Sequence, residues 1–185
     1  MFSILNVEYL LNKNSTEQSR DYSKKAISII SKNLTLLLDD LENIELRKET
    51  LYASNLSGKA INISRTSLNH SISYPLTNYY GVPHGLACAF SVVTTFEYYK
   101  NQISNLDFGR YVNLAVEVIE QLNLSQIYKT KLKQLDVGII TDEALKNSRS
   151  ENFLFHIDKK VINHILSEAK KYYLIKSCIC VFWSV

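Results

Sequence analysis

Apolar residues recur along this chain mainly at spacings of three and four, the period of an amphipathic helix. The first strong example opens at Asn14-Ser15-Thr16-Glu17, where Ser15 or Thr16 can cap a free backbone amide and Glu17 favours the positive helix end. Tyr22, Ala26, Ile29, Ile30, Leu34, Leu37 and Leu38 mark its apolar face. A second helix is expected from about Glu45 to Ser64, with Leu46, Leu51, Ala53, Leu56 and Ala60 on or near its buried side and Gly58 letting a neighbour pack closely. Further helical patterns cover about Ala87 to Tyr99, Gly109 to Leu122, Gln126 to Leu135, Asp142 to Lys146 and Lys159 to Tyr172. The stretch 174–185 is β-branched, aromatic and cysteine-bearing, so it is expected to behave more like a strand than a helix end. The pattern therefore predicts one all-α domain over residues 1–173 with an atypical apolar tail at 174–185.

Composition strengthens that picture. Only five glycines and two prolines occur in 185 residues, too few turn formers for a sheet of many hairpins. With 46% apolar and 21% charged residues, the chain can bury one sizeable core. The net charge of +3 is scattered, without the basic stripe that nucleic-acid binding requires. No apolar run reaches the roughly 18 residues of a membrane span. Met1 to Lys13 lacks the charged start and small-residue cleavage site of a secretory signal. Three cysteines form no spaced framework, which fits a reducing, cytoplasmic setting.

Candidate chemistry is concentrated in Asn69-His70-Ser71-Ile72-Ser73-Tyr74-Pro75-Leu76-Thr77-Asn78-Tyr79-Tyr80-Gly81-Val82-Pro83-His84-Gly85-Leu86-Ala87-Cys88-Ala89. It holds two of the four histidines, two of the five glycines and both prolines. Imidazole is the commonest neutral ligand of divalent transition metals, and two of them converge on one ion only from a rigid frame. Pro83 before His84, with Gly85 after it at a helix start, would supply such a frame. On composition alone, the two histidines read more readily as packed or surface side chains.

The wording of the segment shifts the balance toward the metal reading. Ser-Tyr-Pro-Leu-Thr followed by Tyr-Gly-Val-Pro-His-Gly resembles the ligand-bearing segment of iron-containing alcohol dehydrogenases, and within them the branch that reduces phosphonoacetaldehyde. The resemblance extends to Ala-Ser-Asn-Leu-Ser-Gly-Lys-Ala at 53–60 and to 149–169, covering about residues 1–173. It implies the helical bundle of that family's C-terminal domain, shared with dehydroquinate synthase-like proteins. It further implies a divalent metal, iron or zinc, on His70 and His84, with Tyr74 beside the substrate in a place where many members carry a second His.

The family pattern also breaks. Aligning Val7-Glu8-Tyr9 puts Met1 and Leu5 where an Asp and a His would supply the first two ligands, so the metal is expected to bind weakly. No Gly-rich turn follows a strand, so NAD(P)H is expected only through an upstream nucleotide-binding half, encoded separately or lost from this reading frame. The resemblance thus implies a half of an enzyme that interconverts a small aldehyde and an alcohol, inactive alone; a homo-oligomer is compatible with it. The alternative is a non-catalytic helical interaction module or inactive remnant, and a stand-alone metal hydrolase ranks last. Cys88 reads as a small core hydrophobe. His156, His164 and the Cys178–Cys180 pair read as surface, core or tail residues.

Overall fold

The computed structural model describes residues 6–182 apart from 123, 126, 127, 129, 130 and 132, with 177–182 described in backbone only. Met1 and Leu5 lie outside the described residues, as does half of the helix expected over 126–135. Nine α-helices are placed among the described residues: α1 (Asn6–Leu10), α2 (Glu17–Asp39), α3 (Ile44–Ser64), α4 (Leu68–Tyr80), α5 (His84–Ala89), α6 (Val92–Ser104), α7 (Gly109–Gln121), α8 (Val137–Lys146) and α9 (Lys159–Phe182). A 3-10 turn at Ser148–Asn152 precedes α9. No strand occurs among the described residues; one antiparallel bridge pairs Asn12 with Phe153. No helix among them is long and apolar enough to cross a membrane.

The helix starts follow local chemistry. Thr16 caps α2 in a capping box with Ser19, and the Asn43 side chain caps α3 by accepting from the Leu46 amide. α2 packs along α3 and against α7, while α1 is wedged against α2, α3 and α7. α4 carries α5 and α8 on its flanks, and α9 packs on α6 and α8. The shared core includes Leu10, Ile27, Leu68, Ile72, Phe90, Ile103, Phe153 and Ile165, all within 3% of full burial.

Several sequence expectations need correction. The stretch 174–182 continues α9 instead of forming a strand: a lone extended segment with no sheet to join would leave its amides and carbonyls unpaired, whereas the helix satisfies them internally. The helix expected over 87–99 is two helices, broken at Phe90-Ser91, where the buried Ser91 hydroxyl donates to Asn69 Oδ1 at 2.7 Å. The segment between the two histidines is mostly helical despite Pro75, which leaves the Ser71 carbonyl without its usual ladder partner. Leu51 is 72% exposed, so the buried face of α3 is Ala53, Leu56, Ser57 and Ala60 instead.

Gly58 faces solvent, with nothing within 4 Å of where its Cβ would stand, so it does not serve close helix packing. An alanine there adds no clash and restricts the unfolded chain. Gly58→Ala is therefore expected to raise stability by roughly 0.5–1 kcal/mol, read from urea unfolding.

Two features fix the approach to α4. Asn12 Nδ2 donates to the Arg65 carbonyl at 3.3 Å and Asn152 Nδ2 to the Thr66 carbonyl at 2.9 Å. These bonds hold Arg65 at φ 67°, a conformation that side chains rarely adopt, and so set the turn from α3 into α4. At the other end, Gly81 takes the left-handed conformation (φ 62°, ψ 29°), with its amide bonded to the Thr77 carbonyl and the Val82 amide to Leu76. Pro83 follows in extended conformation and starts α5, so His84 is the first residue of a new helix.

Candidate metal centre

The site begins with Glu8 on α1. Its carboxylate is buried, which demands full compensation. The compensation comes from the start of α4. Ser67, the N-cap residue, donates its hydroxyl to Glu8 Oε1 at 3.2 Å, and the His70 backbone amide donates to the same oxygen at 3.1 Å. A carboxylate from a distant helix thus takes a free amide that a local cap would normally satisfy, at the positive end of the α4 dipole. The other carboxylate oxygen accepts from His70 Nδ1.

That bond fixes the His70 ring. With Nδ1 turned to Glu8, Nε2 is the nitrogen left to face the space between α4 and α5. Burial works against a charge on His70, but its hydrogen bonds to Cys88 and Glu8, with the Glu8 charge, outweigh burial and push its pKa up to about 10.

His84 comes to the same space from the first turn of α5. The two imidazoles stand edge to face with centroids 5.5 Å apart. Ser73, one turn along α4 from His70, donates its hydroxyl to the His70 carbonyl at 2.8 Å and keeps a lone pair toward His84 Nδ1 at 3.4 Å. His84 Nε2 lies 3.8 Å from Cys88 Sγ, one turn further along α5. Burial, then the positive charge on His70, lower the His84 pKa, with Glu8 acting in the opposite sense. One ligand atom each from His70, His84 and Cys88 lies within 4.8 Å of the others. Two imidazoles and a thiol at such spacing suit a divalent transition ion.

Tyr74 flanks this cluster. Its ring stacks on His84 with centroids 5.9 Å apart and planes 23° from parallel. The Arg149 guanidinium covers Tyr74, 5.2 Å from the ring centroid. Beyond Tyr74, a cavity of about 380 Å³ is lined by Asn78, Tyr79, Glu143, Lys146 and Ser148 among others. A larger groove of about 560 Å³ lies elsewhere, between Tyr98, His164 and Tyr172, and includes none of the clustered donors. His164 packs on Tyr98, and His156 stands exposed 3.7 Å from Asp158, so neither joins the site.

The profile of the Fe-containing alcohol dehydrogenase family, C-terminal, matches residues 6–148. The chain belongs to that family. It is 33% identical over 84 residues to phosphonoacetaldehyde reductase of Streptomyces viridochromogenes, a match covering 45% of this chain and 21% of that protein. It is 24% identical over 161 residues to NAD-dependent methanol dehydrogenase of Bacillus methanolicus, covering 76% of this chain and 42% of that protein. The fold of an alcohol dehydrogenase from Oenococcus oeni superposes with a TM-score of 0.76 at 19% identity, over 91% of this chain and 49% of that one. The chain thus spans at most about half the length of these relatives.

Motif reading of this family member points to His70, His84 and Tyr74, and the fold brings all three together. It misses Glu8, Ser73 and Cys88. Only Cys88 carries a signal in sequence: it lies four residues after His84 at a helix start, the spacing that stacks two side chains on one face.

Proposed function

We propose that this chain is the metal-binding half of an oxidoreductase that interconverts an aldehyde and an alcohol with NAD(P)H, the nucleotide being held by a separate half. The observation that carries this reading is the convergence of His70 and His84, each with Nδ1 engaged and Nε2 turned inward, in the metal-binding domain of a dehydrogenase family. A divalent ion held by these residues supplies Lewis acidity to a carbonyl oxygen. The chain's own groups do the remaining work. Glu8 and Ser73 orient the imidazoles, and Tyr74 forms the wall along which a small substrate lies, its phenol available to hold a proton.

Arg149 argues for an anionic substrate. Its charge sits over Tyr74 beside the cavity, where Lys146 is already paired with Glu143 at 2.6 Å, and a phosphonate or similar oxyanion matches a guanidinium in two-pronged fashion. We therefore read phosphonoacetaldehyde, or an aldehyde of that chemistry, as the substrate class, in keeping with the partial match to that reductase.

Co-expression with a nucleotide-binding half from a related dehydrogenase, followed by NAD(P)H oxidation assays, tests both statements. Turnover of an aldehyde that disappears with chelator is expected; no turnover by a stable, metal-loaded pair would sink the reading. Arg149→Ala should raise KM for phosphonoacetaldehyde on the order of tenfold to a hundredfold while leaving propanal nearly unchanged. An equal effect on both aldehydes would assign Arg149 to structure instead.

A further inference from the structure

We propose that Cys88 is itself a metal ligand, so that His70, His84 and Cys88 form a three-donor centre for a thiophilic divalent ion such as zinc or cobalt(II) in preference to iron(II). The inference rests on the metal-binding reading above and names the donor set and the class of ion.

Distances come first. In a tetrahedral zinc site with bonds of about 2.0–2.1 Å to nitrogen and 2.3 Å to sulfur, neighbouring nitrogen and sulfur ligands stand about 3.6 Å apart. His84 Nε2 and Cys88 Sγ are already 3.8 Å apart, and the three donor atoms lie within 4.8 Å of one another. The remaining adjustment is that of side chains closing on an ion. Tautomers come second. Glu8 binds His70 at Nδ1 and Ser73 faces His84 at Nδ1, which leaves Nε2 as the donor on each ring.

The surroundings of the sulfur supply the third argument. Cys88 is fully buried against Tyr9 and Ala60, with the two imidazoles as the polar neighbours of its sulfur. When the ion binds, the thiol proton and the Nε2 proton of the His70 imidazolium leave to solvent, the Nδ1 proton stays in the bond to Glu8, and the freed sulfur and nitrogen lone pairs form the bonds to the metal. With both rings then neutral, the two charges of the ion are matched by one thiolate and by the buried Glu8 carboxylate, giving a centre without net charge. Two imidazoles alone would leave the ion without an anionic ligand. Thiolate also shifts preference toward softer ions, and three protein donors leave one tetrahedral position free.

Cobalt(II) titration of the full chain, followed by absorption, is the test. Wild-type protein should develop a sulfur-to-cobalt charge-transfer band in the near ultraviolet. The band should vanish in Cys88→Ser, with cobalt affinity lowered by at least on the order of a hundredfold, and persist in a Cys178→Ser/Cys180→Ser double variant. Should Cys88→Ser fail to fold, X-ray absorption of the zinc-loaded wild type decides: one sulfur neighbour at about 2.3 Å is expected. Cobalt bound without the band, zinc bound without sulfur, a band that survives Cys88→Ser or is lost in the double variant, or no binding at all would each overturn the proposal. Binding through the imidazoles without sulfur would remove Cys88 while leaving the dehydrogenase reading in place. A sulfur-ligated metal with no turnover in the reconstituted pair would do the reverse.

Discussion

In a His84→Ala chain paired with a nucleotide-binding half, turnover is expected to fall by at least on the order of a thousandfold, because a metal ion contributes several kcal/mol at the transition state and the ion would no longer be held. His84 is suited to this test because it is exposed at the start of α5 and makes little of the core. Helicity should therefore be unchanged, and the unfolding free energy from urea titration should stay within about 0.5 kcal/mol of wild type. Metal retained after dialysis, measured by emission spectrometry, should drop in parallel with activity. Unchanged metal content in a folded His84→Ala chain would remove His84 from the centre.

Replacing Glu8 by alanine should have the largest effect on the fold itself, about 3–5 kcal/mol, because it strands a buried imidazolium together with the Ser67 hydroxyl and the His70 amide. The loss carries a pH signature. In the metal-free chain the His70 pKa is raised to about 10, from an ordinary value near 6.5. The folded state thus binds a proton that the unfolded state releases, so this contribution is fully present below about pH 6.5 and is lost as pH rises through about 10. Urea unfolding in chelator should show stability declining across that window in wild type and much less in Glu8→Ala. Equal slopes in both chains would mean that Glu8 does not hold the His70 charge.

The helical architecture was legible because amphipathic periods such as Tyr22-Ala26-Ile29-Ile30 survive without any tertiary information. α4 was harder to read. Its Pro75, its serines and its asparagines weaken every local helix signal, and the helix holds because Leu68, Ile72 and Leu76 are buried and Glu8 caps it from outside. The convergence of His70 and His84 could be anticipated from the Pro83-His84-Gly85 wording, but their orientation could not. Ring orientation depends on Glu8, a residue 62 positions from His70 in the chain. Cys88 looked like one more apolar position in a buried helix, and only the placement of His84 Nε2 beside its sulfur gives it chemical meaning. The strand expected after residue 173 failed for the opposite reason. Its β-branched residues express a preference that needs partner strands, and continuing α9 satisfies the backbone without them.

Because Glu8 reaches α4 across so long a stretch of chain, the aim of the His70 imidazole is a product of loop closure and not of the α4–α5 segment that carries the donors. A peptide of that segment would keep every donor and lose the carboxylate that aligns one of them. On the proposed metal-binding reading, metal affinity would therefore report on whether α1 is docked: binding energy at the donors would be shared with the bonds that seat the first helix, and loosening that helix would loosen the ion.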